Sequence, residues 1–290
     1  MIKLPASYRD PKIFNNKYII KQQISSGSFG IVYLAFDKNT KEEVAVKVEK
    51  EDNEDASSLE REISILNRLS GVPGTPKFYW SGFEQDYNVI VIQILGKDLS
   101  HYIKQYKQFT LKTVLQITLQ LLTTLQMVHQ RGVIHRDFKP ENILTGYHLD
   151  NSTIYLVDYG VSKVYIDKQG KHIQSKEKKS FIGTTRYASI AAHRGYELGR
   201  KDDVESMFYV MIYLLKGDRT QLVGEVKMKT EISQLCKDIP SEFSEILKQL
   251  PTKTQLSQKI RILIRARLQV YEISDSQSCI QQLNYYGQTF

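Results

Sequence analysis

Through about the first 95 residues, apolar positions come in short runs closed by turn-formers. "KYIIKQQIS", "GIVYLAFD" and "EEVAVKVE" are rich in β-branched and aromatic residues and predict strands. "SSLEREISILNRL" breaks that rhythm. Leu59, Ile63, Leu66 and Leu69 recur every three or four positions and predict an amphipathic helix with these four on its apolar face. "YNVIVIQIL" returns to strand, and beyond it the period lengthens. "TLKTVLQITLQLLTTLQMVHQ" predicts a long apolar helix with Thr110 as its N-cap, and "STIYLVDYG" a short strand closed by glycine. "DDVESMFYVMIYLLKG" is apolar on most sides, the pattern of a buried helix. A strand-rich front and a helical back predict an α+β protein of two lobes, about 1–95 and 96–290, joined near residues 93–96.

Composition narrows the class only a little. The chain has 290 residues, 41% hydrophobic and 25% charged, an ordinary balance for a globular protein. Its longest apolar run, "VIVIQIL", is too short to span a bilayer, so no transmembrane segment is expected. "MIKLPASYRD" lacks the apolar centre of a secretory signal, which points to an intracellular protein, cytoplasmic or nuclear. Cys236 and Cys279 form no disulfide framework or metal-ligand spacing and read as reduced thiols. Forty Lys and Arg against 32 Asp and Glu give a net charge of +8, favouring anionic partners without choosing among them. Nothing beyond that charge supports a specific nucleic-acid role.

Four places carry candidate chemistry. "ISSGSFGIVYLAF" sets Gly27 and Gly30 between two strands: either a plain hairpin or a turn whose backbone N–H groups lie over phosphates. Lys47 in "VAVKVEK" either faces solvent on an edge strand or points inward, where an ammonium needs a partner. Glu62 stands beside the apolar face of its helix, either solvated or reaching toward the sheet. "VIHRDFKPENIL" crowds His135, Arg136, Asp137, Lys139 and Asn142 between apolar pairs, and "VDYG" adds Asp158 at a strand end. Oxygen donors such as Asn142 and Asp158 suit Mg²⁺, and a second aspartate can accept a hydroxyl proton.

The ordered series is glycine turn, strand lysine, helix glutamate, H-R-D-x-K-x-x-N and D-Y-G. It resembles the signature set of the eukaryotic protein kinases. Within them, "GTTRYASI", "RKDDVES", "DYNVIVIQILG" and "LCKDIPSEF" are similar to the casein kinase one family, over about Tyr18 to Phe243. The resemblance implies a single bilobal kinase domain over residues 1–290. It also implies ATP and Mg²⁺ as cofactors, and transfer of the γ-phosphate to Ser or Thr of acidic or phosphorylated protein substrates. Lys47 would hold the α- and β-phosphates and pair with Glu62. Asp158 and Asn142 would hold metal ions, Asp137 would orient the substrate hydroxyl and take its proton, and Lys139 would steady the γ-phosphate. The nucleotide would further be lined by Ile24, Ser25, Gly27, Ser28, Phe29, Gly30, Val32, Ala45 and Leu144. Backbone hydrogen bonds would come from Gln93 and Leu95, with Ile92 at the gatekeeper position. Asp203 would tie down the backbone of His135 and Arg136, and His135 would be a packing residue. Arg186 would bind a substrate anion, helped by the local positive potential of lysines 163, 168, 171, 176, 178 and 179. A monomer is expected. The alternative is a pseudokinase, the same fold used as a nucleotide-binding scaffold.

Three departures from the family pattern bear on these expectations. Ser25 stands where the first loop glycine is usual, but its backbone N–H remains for a phosphate. The segment after Gly217 is shorter than in the family, which leaves Arg186 without its usual basic companions. After Phe243 the family's closing helices are not recognisable, although "QKIRILIRARLQV" has the pattern of a basic helix that packs on the larger lobe or meets a partner or an anionic membrane.

Overall fold

The computed structural model describes residues 13–27, 30–50, 56–148, 152–167, 169–171, 173, 186–217, 229–249 and 264. The chain divides into two compact units. One holds Met1–Gly71 and Pro76–Leu95, the other Val72–Thr75 and Gly96–Phe290.

Among the described residues the smaller unit is a six-stranded antiparallel sheet with one helix. Its strands are β1 (Ile13–Phe14), β2 (Tyr18–Gly27), β3 (Gly30–Asp37), β4 (Glu43–Lys50), β5 (Phe78–Glu84) and β6 (Tyr87–Gln93), in the order β1-β2-β3-β4-β6-β5. Period two divides the sheet into faces. Val44, Val46 and Val48 of β4, opposite Ala35, Tyr33 and Ile31 of β3, join Phe14, Tyr18, Val89 and Val91 in an apolar cluster. The alternate residues Ala45, Lys47 and Glu49 therefore share the other face, where Lys47 stands opposite Val32 and Ile90. Lys47 is thus an inward strand lysine in a central strand, not an edge residue.

Helix α1 (Ala56–Arg68) forms as its pattern predicts, with Leu59, Leu66 and Leu69 buried as expected and one departure, at Ile63. Leu59, Glu62, Ile65 and Leu66, with Leu69 just beyond the helix, are buried, whereas Ile63 is only half-buried. The stripe runs through Glu62 because that carboxylate has a cationic partner on the sheet, so a charge can take an apolar position.

In the larger unit the described helices include α2 (Leu99–Tyr106), α3 (Leu111–Gln130), α4 (Ile190–His193), α5 (Arg200–Lys216), α6 (Ile232–Leu235) and α7 (Ser241–Gln249). Thr110 caps α3 as expected, its hydroxyl accepting the Thr113 N–H at 3.2 Å. In α5 every residue from Met207 to Leu214 is buried, and it packs with α3 around one apolar core. Gly74 belongs here too: with φ +77, an added Cβ would lie 2.0 Å from Thr124 Oγ1. Its carbonyl takes the Leu156 N–H at 2.8 Å.

Two short sheets frame the polar stretch read from the sequence. β7 (Val133–Ile134) pairs with β10 (Lys163–Val164), and β8 (Ile143–Thr145) with β9 (Ile154–Leu156). Among the described residues no helix is long and apolar enough to cross a membrane. Cys236 is a buried free thiol, its pKa pushed up to about 11 by burial. Of "QKIRILIRARLQV" only Ile264 is described. It is helical and buried in the larger unit's core, as the packing expectation requires. The rest of that stretch, Cys279 and the shortened segment at 218–228 lie outside the described residues.

Candidate functional site

Some of the sequence-predicted site residues meet within each unit: Lys47 with Glu62 in the smaller, and Asp137 with Lys139 and Asn142 in the larger. In the smaller unit Lys47 Nζ meets Glu62 Oε2 at 2.6 Å, with side chains only 12% and 7% exposed. A charge pair so little exposed is weakly screened, and either partner alone would be costly to bury. A third charge, absent from the sequence expectations, stands beside them: Glu49 Oε1 is 3.6 Å from Lys47 Nζ. Its signal was present in "KVE", since residues two apart on a strand share a face.

The glycine turn lies on the same sheet. β2 and β3 pair as far as Gly27 opposite Gly30, and Ser25 stands opposite Val32. Gly30 has φ +105, and a Cβ there would meet the Val48 carbonyl oxygen at 2.3 Å, so this position requires glycine. Ile24 and Ser25 are exposed. Ser28 and Phe29 lie outside the described residues. Ala45 is buried and Val32 half-buried on the Lys47 face. At the end of β6 the Gln93 N–H donates to the Lys77 carbonyl at 2.8 Å, so any hydrogen bond Gln93 offers a base comes from its carbonyl. Leu95 is buried and Ile92 half-buried.

The larger unit's cluster is local. Asp137 is buried, and its Oδ2 receives Lys139 Nζ at 2.7 Å and Asn142 Nδ2 at 3.2 Å. Asn142 Nδ2 also donates to the Asp137 carbonyl at 2.9 Å, from a 3-10 turn over Pro140–Asn142. The backbone around this loop is held from both sides. Asp203, at the start of α5, accepts the His135 and Arg136 N–H groups at 2.9 and 2.8 Å and contacts His129 Nε2 at 2.8 Å. Burial pushes the Asp203 carboxyl up, but the His129 hydrogen bond and nearby charges outweigh it and leave the pKa below its usual value. The ring of His135 is fully enclosed and both nitrogens are engaged, Nε2 with the Val157 carbonyl and Nδ1 with the Asp137 N–H. It is a packing residue. His129 is the member of this network that the sequence reading passed over.

Arg136 and Asp158 adopt left-handed backbone, φ 70 and φ 65. Such conformations carry strain and persist where the surroundings over-determine them. Arg136 Nε donates to the Val161 carbonyl at 2.6 Å, and the Val157 N–H to the Asn142 carbonyl at 3.0 Å. Asp158 follows β9 by two residues and is half-buried. Tyr159, next to it, is fully enclosed against the His135 ring at 5.0 Å, and burial raises its phenol pKa. Leu144, on β8, is half-buried.

As a metal site the donors are few but of the right kind. Among the described residues no three His, Cys, Asp or Glu side chains converge. With the Asn142 amide nitrogen spent on Asp137, its oxygen and the Asp158 carboxylate are the hard donors this chain contributes. Mg²⁺ fits such a set, because it commonly takes one or two protein oxygens and fills its shell with phosphates and water.

Arg186 is half-buried with its guanidinium 5.6 Å from the centre of the Tyr213 ring. Lys163 is not a free contributor to the local positive potential: it pairs with Glu197 at 2.8 Å. Lys171 is exposed, and lysines 168, 176, 178 and 179 lie outside the described residues. Compared with known families, residues 18–277 match the model of the protein kinase domain.

Proposed function

Because the chain belongs to the protein kinase family, a phosphotransferase that uses ATP and acts on proteins, we propose that it is an active serine/threonine kinase of the casein kinase one type. Residues 1–290 are read as one kinase domain, monomeric and intracellular, acting on acidic or phosphorylated substrates.

The observation that carries this reading is the Asp137 carboxylate held by Lys139 and Asn142 at 2.7 and 3.2 Å. An aspartate so fixed is positioned to orient a hydroxyl and receive its proton. Lys139 stands ready to lie against the transferred phosphoryl group, whose negative charge it offsets. Lys47, set by Glu62, takes the α- and β-phosphates. The turn from Ile24 through Gly30, including Ser25, Gly27, Ser28 and Phe29, covers the phosphates, and Val32, Ala45 and Leu144 line the adenine. Gln93 and Leu95 offer it backbone hydrogen bonds. Asn142 and Asp158 are the residues that would hold Mg²⁺, which when bound neutralises phosphate charge. Arg186 is the candidate for a substrate's anionic group.

The test is incorporation of labelled phosphate from ATP with Mg²⁺ into an acidic protein, followed by phosphoamino-acid analysis, beside Asp137→Ala and Lys47→Ala. Phosphoserine or phosphothreonine from the parent alone is the expected result. Nucleotide binding without transfer, or transfer unchanged in both variants, would establish the scaffold reading or overturn the assignment. Priming is tested separately: a peptide with an upstream phosphoserine is expected to outperform its unphosphorylated twin, and equal rates would remove Arg186 from the anion role.

A further inference from the structure

One face of α5 carries a glutamate and two tyrosines through an otherwise apolar stretch. Glu205, Tyr209 and Tyr213 stand four residues apart, so they line up along the helix over about 12 Å. The segment Arg186–Ile190 lies against this row. At one end Glu205 Oε1 accepts both the Ile190 N–H and the Tyr209 hydroxyl at 2.8 Å. At the other end the Tyr187 ring meets the Tyr213 ring edge to face, 5.6 Å between centres. The Arg186 guanidinium stands over that same Tyr213 ring, 5.6 Å from its centre. Between the two ends Ser189 is buried and caps α4, its hydroxyl accepting the Ala192 N–H at 3.2 Å. The segment is therefore pinned to α5 at both ends.

The contact at Tyr213 bears on recognition. A ring face attracts a guanidinium without consuming its N–H donors, which lie in the guanidinium plane and serve an incoming anion. A carboxylate in the same place would hold the arginine equally well but cancel its charge. Tyr187 does not cancel it either. Burial raises its phenol pKa, a hydrogen bond from Arg186 only partly opposes that, and the group stays neutral at pH 7. Glu141, exposed on the 3-10 turn, adds its charge to these surroundings, yet among the described residues no carboxylate forms an ion pair with Arg186.

We propose that Tyr213 is a positioning residue for substrate recognition, its ring holding the Arg186 guanidinium where it receives an anionic side chain of the protein substrate, carboxylate or phosphate. The inference rests on the reading of Arg186 as the anion-binding residue. Tyr213 acts through Arg186 and takes no part in transfer. Without the ring the guanidinium has no fixed place, and binding of an anionic substrate must order it first. The loss falls on anionic substrates and not on neutral ones, whereas a merely structural Tyr213 would act on both alike.

The experiment measures kcat/KM of the full chain for three peptides that share one acceptor serine: a neutral one, one with upstream aspartates and one with an upstream phosphoserine. The readout is the ratio of each anionic peptide to the neutral one, so that a general loss of folded enzyme cancels. The parent is compared with Tyr213→Leu, which removes the ring, Tyr213→Phe, which keeps it, and Arg186→Ala. In Tyr213→Leu we expect the ratio to fall about fivefold, through KM, while Tyr213→Phe retains it. Arg186→Ala should lower it at least as far, and adding Tyr213→Leu to Arg186→Ala should lower it no further. The anionic peptide whose ratio falls identifies the anion. If Tyr213→Leu does not fold, pentafluorophenylalanine at position 213 keeps the ring's size and inverts its electrostatics. It should lower the ratio likewise, and a parental ratio there would overturn the proposal. If Arg186→Ala lowers the ratio but Tyr213→Leu does not, the proposal is overturned and the anion reading stands. A ratio near one in the parent, or unchanged in Arg186→Ala, removes the anion reading and the proposal with it. Equal losses in Tyr213→Phe and Tyr213→Leu would also overturn it, since the hydroxyl and not the ring would then be responsible.

Discussion

The two charged clusters are built in opposite ways. Lys47 and Glu62 are 15 residues apart, one on β4 and the other on α1, and only side-chain contact joins them. Asp137, Lys139 and Asn142 lie within six consecutive residues, on a loop whose backbone is held by Asp203 and by strand pairing at both ends. The first arrangement is sensitive to the position of one helix, because moving α1 parts the pair without breaking a backbone hydrogen bond of the sheet. The second sits on a loop whose backbone is tied down, and Asn142 Nδ2 also bonds the Asp137 carbonyl, so its members keep their places when neighbouring elements shift. A kinase needs both: an adjustable grip on nucleotide and a fixed group for the hydroxyl.

The sharpest way to break the fixed half is Asp203→Ala. It leaves the His135 and Arg136 N–H groups and His129 without their shared carboxylate in a buried place. The expected loss is about 3–5 kcal/mol, on the order of 10 °C in Tm by calorimetry. A loss under about 1 kcal/mol would mean the loop is not held from α5.

Next in size is the buried face of α1. Ile65→Ala should cost about 2–4 kcal/mol and Ile63→Ala well under half of that, read from chemical denaturation. Equal costs would restore Ile63 to the buried face expected from the sequence. Glu62→Gln comes third, costing about 1–3 kcal/mol by loss of the weakly screened pair. Transfer should fall at least tenfold by slackening Lys47, with the larger unit's melting unaffected.

Smallest is a pH effect. The Asp203 carboxyl is held below its unfolded value, so its stabilisation is complete above about pH 4 and disappears as pH falls through the folded value. The gap in Tm between parent and Asp203→Asn should therefore narrow on acidification from pH 6 toward pH 3. A gap that widens would reverse the sign of the shift.

These contrasts also separate what could be read in the chain from what could not. The strand and helix periods, the Thr110 cap, the burial of α5 and the Asp203 contacts to His135 and Arg136 follow from local pattern or from the family resemblance. The one departure on α1, a buried Glu62 beside a half-buried Ile63, has a tertiary cause: Glu62 takes a buried position because Lys47 is across from it. The same holds for Lys163, whose charge is taken by Glu197, 34 residues on. That Val72–Thr75 belongs with the larger unit depends on Gly74 packing against Thr124 and pairing with Leu156, distant residues that no local period announces. Glu49 was legible as a face-mate of Lys47.

The central claim is that the cluster on β4 and α1 binds nucleotide while the cluster after β7 performs transfer. It is tested most directly by measuring ADP affinity and the single-turnover transfer rate in Asp137→Asn. The account predicts affinity within about twofold of the parent and a rate lower by about 10²–10⁴-fold. A rate within tenfold of the parent, or a loss of affinity as large as the loss of rate, would contradict it.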